Sequence, residues 1–257
     1  MDTRAFDFTV IGGIIGDLLA YLDVTLVVAL ISIALGSLLG MALAGVKIAG
    51  SSWAKGLVNI YTYVMRCTPS IVLLFIVFYG LPVLVRGLFN YSINDMHRAV
   101  FAIITFALLF GAYISEVFRA AYQAVSRGQY EAAVSIGIKP WQAVWHVILP
   151  QAARIALPNF GNSVINLLKE GSLAYTIGLI DMLGRGNMII AQHYGAYGIE
   201  TYLACILIYW LLTVLLEAAF NKLELHFSKG TAMKAEKSQT AWFRWHWRGG
   251  EKHGLEY

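Results

Sequence analysis

The stretch EAAVSIGIKPWQAVWHVILP, residues 131–150, is the most informative part of this chain. Its Glu-Ala-Ala start favours a helix, and Gly137 stands where a C′ glycine would end that helix. Pro140 fits the first turn of a second short helix. That helix carries an apolar stripe at i, i+3, i+4 and i+7 spacing, formed by Trp141, Val144, Trp145 and Ile148. Leu149-Pro150 is expected to end it. We therefore predict two short helices around a glycine, with apolar and aromatic residues facing one way.

Two roles are compatible with this amphipathic pattern. Such a helix can lie in the headgroup region of a membrane without binding a partner, or it can be the surface that a partner protein binds. Periodicity alone leaves both open.

Long apolar segments flank this stretch. Hydrophobic residues make up 58% of the 257 residues and charged residues 13%, and the mean hydropathy is +0.64. Since a soluble domain carries about twice that charged fraction, we predict an all-α, polytopic membrane protein. Five segments have about the length that a spanning helix needs, at roughly 20–46, 57–83, 99–123, 152–180 and 201–222.

The predicted organisation has three parts. Residues 1–19 form an extracytoplasmic segment, residues 20–225 the transmembrane domain, and residues 226–257 a cytoplasmic tail. Helix-disrupting and charged residues interrupt the fourth span: Pro158, Gly161, Lys169, Glu170 and Gly171. Such an interruption is tolerated where the backbone faces protein or a water-filled cavity.

The distribution of Lys and Arg predicts the orientation of the spans. With the N-terminus outside and the C-terminus inside, thirteen basic residues lie on inner segments and four on outer ones. The outer four are Arg4, Arg86, Arg98 and Arg185. Seven of the inner thirteen lie at or beyond Lys222, so much of the asymmetry comes from the tail. This orientation puts residues 131–150 in the cytoplasm.

Small residues recur every four positions on the first span: Ser32, Gly36, Gly40 and Ala44. Small residues at this spacing allow two helix backbones to approach closely. The pattern marks close packing and not the partner, so we favour packing within one chain over a dimer seam.

No catalytic or metal-binding motif is present. The sequence contains no GxxxxGK[ST] phosphate loop, and its six histidines show no HExxH or paired spacing. Cys67 and Cys205 lie inside apolar segments, which does not suggest a disulfide framework. Any energy that the protein uses must come from a partner or from an ion gradient.

Charged residues inside the predicted spans are Arg66, Glu116, Lys169 and Glu170. Each costs several kcal/mol (roughly) when buried without a partner, so such residues pair with one another or serve a ligand. Pairing of Arg66 with Glu116 or Glu170 to hold the bundle together, and a ligand site, are both open at this point.

The sequence of residues 131–150 resembles the EAA signature of importer permeases of the ATP-binding-cassette (ABC) superfamily. YTYVMRCTPSIVLLF (61–75), GAYISEVFRAAYQAVSRGQYEAA (111–133) and LPNFGNSVINLLKEGSLAYTIGLIDML (157–183) look like the polar amino acid branch of that family. The likeness covers roughly residues 15–225. It departs from the family pattern at Cys67, where glycine is usual, and at Glu170, where Asp is common.

The resemblance implies a type I ABC importer permease fold and two sets of functional residues. The set that would contact substrate is Arg66, Thr68, Glu116, Glu170 and Ser172. Coupling helices at about 127–149 would contact the ATPase, and the residues implied in coupling are Glu131, Ala132, Ala133, Gly137, Leu149 and Pro150.

The resemblance also implies partners and a location. They are a dimer of cytoplasmic ATPases that holds ATP and Mg²⁺, a second permease, an extracytoplasmic solute-binding protein, a polar amino acid and membrane lipid. No cofactor or metal is expected in this chain, and the location is a bacterial cytoplasmic membrane.

Two other functions remain as alternatives. An ion-coupled secondary transporter would also favour broken helices and charged residues near the membrane centre. A membrane enzyme that acts on lipid would need Glu116 or His193 as acid–base groups, but no paired acid–base motif is present. In the tail, AWFRWHWRGG (241–250) is typical of an interfacial anchor beside a membrane rather than of a nucleic acid site, so no nucleic acid partner is expected.

Overall fold

The computed structural model describes residues 6–228, and the regular secondary structure in that range is helical throughout. The ten helices of this range are α1 Thr9–Leu19, α2 Leu22–Ala49, α3 Ser52–Cys67, α4 Ser70–Phe89, α5 Arg98–Ala124, α6 Arg127–Ser135, α7 Pro140–Ala143, α8 Leu149–Gly171, α9 Met182–Gln192 and α10 Gly198–Ser228. Predictions about residues 1–5 and 229–257, including the Trp/Arg-rich tail, fall outside the described residues.

Three segments depart from α-helical geometry. A π-helical turn, Ile76–Gly80, lies within α4, and a second, Val144–Ile148, joins α7 to α8. A 3₁₀ segment, Ser172–Ile177, continues α8.

Within residues 6–228, four helices are long and apolar enough to cross a membrane: α2, α4, α5 and α10. The predicted fourth span corresponds to α8, which is 23 residues long but carries charges, including Arg154, Lys169 and Glu170. The predicted all-α, polytopic fold is confirmed, and the count of five spans is approximate because α8 is helical without being uniformly apolar.

The predicted second span at 57–83 is wrong as a single element. It consists of α3 and α4, separated at Thr68, whose φ of −89° and ψ of 128° are extended. Pro69 causes the break because its ring disfavours the α conformation at the preceding residue. Arg66 therefore lies in the last turn of α3 beside a helix break, rather than in the middle of an uninterrupted span.

The small residues of α2 are buried against α5. Ser32, Gly36, Gly40 and Ala44 are all buried. A Cβ atom on Gly36 would lie 2.9 Å from the Ala107 carbonyl oxygen, and one on Gly40 would lie 2.9 Å from Cγ2 of Ile114. The prediction that this stripe packs within the chain is confirmed.

We expect Gly36→Ala to lower stability by roughly 1–3 kcal/mol, because the added methyl group must displace the backbone of α5. Gly45→Ala on the same helix is the matched control, since nothing lies within 4 Å of its Cβ position. That change should be neutral or stabilise the helix by up to about 1 kcal/mol. Apparent thermal midpoints in the same detergent measure the difference. Equal midpoints for the two variants would contradict the close packing.

Helix α8 lies between α5 and α10. The Phe160 ring centroid is 6.1 Å from that of Phe110 on α5 and 6.2 Å from that of Phe220 on α10. Gly161 allows the second contact, because a Cβ there would lie 2.8 Å from Cγ of Phe220. These contacts determine which face of α8 packs against α5.

Candidate functional site

A cavity of about 270 Å³ lies between α5 and α8. Its walls are formed by Leu109, Phe110, Tyr113, Ser163, Asn166, Leu167 and Glu170. Apolar walls with a few polar groups are typical of small-molecule sites. Asn166, Glu170 and Ser163 supply an amide, a carboxylate and a hydroxyl from one face of α8, at spacings of three and four residues.

Arg66 does not line this cavity, but it contacts Tyr113, which does. Its guanidinium carbon lies 5.6 Å from the centroid of the Tyr113 ring, and the Tyr113 hydroxyl donates a hydrogen bond of 3.5 Å to the Arg66 carbonyl oxygen. The Arg66 side chain is exposed, and among residues 6–228 it has no carboxylate within ion-pair distance. The Arg66 guanidinium, at the break after α3, therefore packs on the face of the Tyr113 ring and has no carboxylate partner in the described part of the chain.

Glu170 is the carboxylate of the cavity. It is half-buried. Within the described part of the chain no basic side chain forms an ion pair with it. Of the alternatives left open by the sequence, a pair between Arg66 and Glu170 is therefore not formed, and neither group has an ion pair among residues 6–228.

The two predicted hydroxyl groups bind the backbone instead of lining the cavity. Thr68 Oγ1 donates to the Val64 carbonyl oxygen at 2.8 Å, and Ser172 Oγ donates to the Lys169 carbonyl oxygen at 2.7 Å. Each hydroxyl stabilises the end of its helix, Thr68 after α3 and Ser172 after α8. Their assignment to substrate stays a prediction.

Glu116 is engaged in a different contact from the one expected. It forms ion pairs with Lys47 of α2 and with Arg119, one turn further along α5. Lys47 is buried and also donates a 2.7 Å hydrogen bond to Thr62 of α3. The network joins α2, α3 and α5, and the alternative pair between Arg66 and Glu116 is not formed. Glu116 is absent from the cavity lining, and its assignment to substrate stays untested.

We expect Glu116→Gln to destabilise the folded chain by about 1–3 kcal/mol, because the buried Lys47 ammonium would lose its charged partner. Glu217→Gln is a control on an exposed acidic residue that has no ion pair among residues 6–228. Thermal midpoints and the yield of monodisperse protein measure the loss. A Glu116→Gln chain that keeps its stability but loses substrate binding would contradict the structural role and support the predicted ligand role.

Helices α6 and α7 form the predicted helix pair, and we call residues 127–148 the coupling module. Gly137 has a φ of +88°. Its N–H bonds to the Val134 carbonyl at 2.9 Å, and the Ile138 N–H bonds to the Ala133 carbonyl at 3.2 Å. These two bonds define a Schellman motif, which confirms Gly137 as a C′ residue. Pro140 in the first turn of α7 is also confirmed.

The apolar residues of the coupling module do not all face one way. Ile148 is buried, whereas Trp141 is 59% exposed and Trp145 is 66% exposed. The expectation of one common stripe is therefore wrong. The π-helical turn contributes to the difference, because it shifts the angular position of the residues that follow.

The predicted end of the second helix at Leu149-Pro150 is also wrong. The chain continues through the π-helical turn into α8 without a break. The Leu149 N–H bonds to the Val144 carbonyl, five residues back, and this wider turn accommodates a proline that has no N–H to donate.

The coupling module presents an exposed apolar surface beside a carboxylate. Ile136, at 78%, is among its most exposed apolar residues, and the exposed Glu131 has no ion pair in the described part of the chain. Small residues form the inner side, where Ala133 and Ala143 are buried as α6 packs on α7. Of the predicted coupling residues, Glu131, Ala132, Gly137, Leu149 and Pro150 are all exposed.

Sequence reasoning missed Tyr113, Asn166 and Lys47. Tyr113 lies one helical turn before Glu116 in the sequence, and Asn166 one turn before Glu170, so both share a helix face with a residue that was singled out. Lys47 directly follows the predicted first span, where a lysine is normally solvated, so nothing in the sequence indicated that it is buried. No group of three or more metal-ligand side chains occurs in residues 6–228.

The described chain is a polytopic helical bundle with a short helix pair between two of its helices. The chain belongs to the family of binding-protein-dependent transport system inner membrane components, which residues 32–229 match. It is 40% identical over 226 residues to the L-cystine transport system permease protein TcyL of Bacillus subtilis (strain 168), covering 88% of this chain and 93% of TcyL. It is 34% identical over 225 residues to the probable amino-acid ABC transporter permease protein PatM of Vibrio harveyi, covering 84% of this chain and 97% of PatM.

Solved structures agree with this assignment. The crystal structure of an amino acid ABC transporter with histidines matches with a TM-score of 0.76 and 28% identity, over 87% of this chain and 100% of that chain. An inward-facing structure of the MetNI methionine ABC transporter shares the fold, with a TM-score of 0.67 and 18% identity over 86% of this chain and 99% of that chain.

The predicted family and fold are thus confirmed. The chain is the multi-pass permease component of a binding-protein-dependent ABC importer for amino acids. It is not itself an enzyme, and ATP hydrolysis belongs to partner subunits.

Proposed function

We propose that the coupling module is the docking surface for the ATPase and that its movement opens and closes the cavity between α5 and α8. One observation carries this proposal. Two residues separate the end of α5 from the start of the module, and the module runs into α8 without a break, so it connects the two helices that line the cavity. A displacement of the module is therefore transmitted to both walls.

The exposed surface of the module supports docking. Ile136, Trp141 and Trp145 form unpartnered apolar area, and exposed apolar patches on folded proteins mark sites of protein contact. Glu131 adds a carboxylate for a basic group on the ATPase. A passive helix in the headgroup region would not need the Schellman turn that fixes the angle between α6 and α7.

The cavity supports a polar amino acid as the substrate. The guanidinium of Arg66 suits the α-carboxylate, which it can bind with two parallel hydrogen bonds. The carboxylate of Glu170 suits the α-ammonium group, and Asn166 can bond to a polar side chain. TcyL is named for L-cystine, so L-cystine is the first substrate to test. Glutamine is the second, because another relative is named as a putative glutamine transport system permease protein.

The proposed assembly contains two permeases, two cytoplasmic ATPases that hold ATP and Mg²⁺, and an extracytoplasmic solute-binding protein. The N-terminus would lie outside and the C-terminus inside a bacterial cytoplasmic membrane. Nucleotide at one site and amino acid at another would bias the same two states of the cavity.

The test is uptake of labelled amino acid by proteoliposomes that contain the complex co-purified from the native membrane. We expect uptake that stops without ATP and continues after an uncoupler removes the membrane potential. Uptake that follows the potential and ignores ATP would contradict the proposal and favour the ion-coupled alternative. Turnover of a lipid by the purified chain alone would favour the enzyme alternative.

A further inference from the structure

A second groove, of about 510 Å³, lies between α8 and the C-terminal end of α10, away from the α5–α8 cavity. It is lined by Arg154, Leu157, Pro158, Asn221, Glu224, Leu225 and Phe227. None of these residues belongs to the candidate substrate site or to the coupling module. Leu225 is 65% exposed and Phe227 is 50% exposed, so the apolar wall of the groove has no protein cover within residues 6–228.

The groove holds two opposite charges that do not neutralise each other. Arg154 and Glu224 both line it, yet neither forms an ion pair in the described part of the chain. A single anion or a single cation would satisfy one of these groups and be repelled by the other. The groove is therefore complementary to a ligand that carries both signs of charge.

Pro158 removes one hydrogen-bond donor from the backbone beside the groove. A helical residue at this position would donate its N–H to the carbonyl oxygen of Arg154, four residues earlier, but proline has no N–H. The Arg154 carbonyl is left without that donor, next to the ring that lines the groove. A primary ammonium group has three N–H donors and can bond to this carbonyl as well as to the Glu224 carboxylate.

We propose that this groove binds a zwitterionic phospholipid whose headgroup ends in a primary ammonium, namely phosphatidylethanolamine. Arg154 holds the phosphate, Glu224 and the Arg154 carbonyl hold the ammonium, and the acyl chains lie along Leu157, Leu225 and Phe227. The position agrees with a lipid, because the groove borders the last turns of α10, which is a candidate membrane span. This inference does not depend on the substrate or on coupling to an ATPase.

The test compares lipids that share a phosphate and differ in the ammonium group. The full chain, purified with its partner subunits, is placed in nanodiscs of equimolar phosphatidylethanolamine and phosphatidylcholine, and native mass spectrometry counts the lipids that stay bound. Phosphatidylcholine is the matched probe because its trimethylated nitrogen has no N–H. We expect phosphatidylethanolamine to be retained about two- to fivefold more often, the range of one partly exposed ion pair.

Two variants separate the two contacts. Glu224→Gln should bring the retention ratio of the two lipids close to one, whereas Arg154→Gln should lower the retention of both lipids. Lys222→Gln, an exposed cation on the same helix that does not line the groove, should leave both the ratio and the amount unchanged.

Three outcomes would overturn the proposal. Equal retention of phosphatidylethanolamine and phosphatidylcholine by the unmodified chain would show that the groove does not recognise the primary ammonium group. In a second set of nanodiscs, with phosphatidylglycerol in place of phosphatidylcholine, stronger retention of phosphatidylglycerol than of phosphatidylethanolamine would show that the groove is only a basic patch. A lipid preference that appears only in a chain ending at Ser228 would mean that residues 229–257 fill the groove.

Discussion

Gly137→Leu is expected to reduce ATP-driven uptake by at least about tenfold while the complex still assembles and hydrolyses ATP, because a leucine at a φ of +88° costs about 1–2 kcal/mol of backbone strain. No atom of residues 6–228 lies within 4 Å of a Cβ at this position, so the leucine would not clash with the described part of the chain. The strain is relieved by a change in the turn, which alters the angle between α6 and α7. Because the module joins the two cavity walls, an altered angle misplaces both.

The measurement is the ratio of amino acid taken up to ATP hydrolysed, in proteoliposomes that contain the complete complex. Gly195→Leu is the matched control, because Gly195 also has a φ of +88° and open space around its Cβ position, but lies outside the coupling module. Gly137→Asn is a second control, since asparagine tolerates this conformation. Normal coupling in Gly137→Leu, or an equal loss in Gly195→Leu, would count against the docking proposal.

Arg66→Ala is expected to lower uptake roughly 10- to 100-fold, since a hydrogen bond between charged groups contributes about 1.5–3 kcal/mol. The chain should still fold, because Arg66 is exposed and has no ion pair among residues 6–228. Arg66→Lys should recover part of the activity, since lysine keeps the charge but loses the two-pronged geometry. Arg86→Ala, at the exposed end of α4 and outside the α5–α8 cavity, is the matched control.

Binding can be measured separately from uptake through Cys67. This thiol is exposed beside Arg66, whereas Cys205 is buried, so a polar thiol reagent should label Cys67 selectively. The amino acid should slow this labelling in the unmodified chain and not in Arg66→Ala. Near-normal uptake by Arg66→Ala, with Cys67 still protected from labelling by the amino acid, would show that Arg66 does not bind the substrate.

Much of the fold was predictable because local chemistry determines it. The C′ position of Gly137 and the N-terminal position of Pro140 follow from backbone preferences that act within a few residues. The limits of α2, α5 and α10 agree with the apolar segments, since a membrane span needs a fixed length of apolar side chains. The break at Thr68 was missed, although Pro69 was the signal for it.

The candidate site was predictable only in part. Glu170 lines the cavity and Arg66 contacts Tyr113, another lining residue, while the role of both in binding substrate stays a prediction. Thr68 and Ser172 were assigned by position in a motif, and their hydroxyl groups bond to nearby carbonyls instead. A hydroxyl near a helix end has such a partner close by, and sequence does not say which partner it takes.

By itself, then, the sequence determined that this chain is a helical membrane protein, where its amphipathic helix pair lies, and which family it resembles. These are properties of composition, periodicity and short motifs. Only the tertiary structure decided that Glu116 pairs with Lys47, 69 residues away. It also decided that Tyr113, which contacts Arg66, lines the same cavity as Glu170. The reason is physical: the partner of a charged group depends on which helices pack together and on the rotation of each, and neither is determined by residues close in sequence.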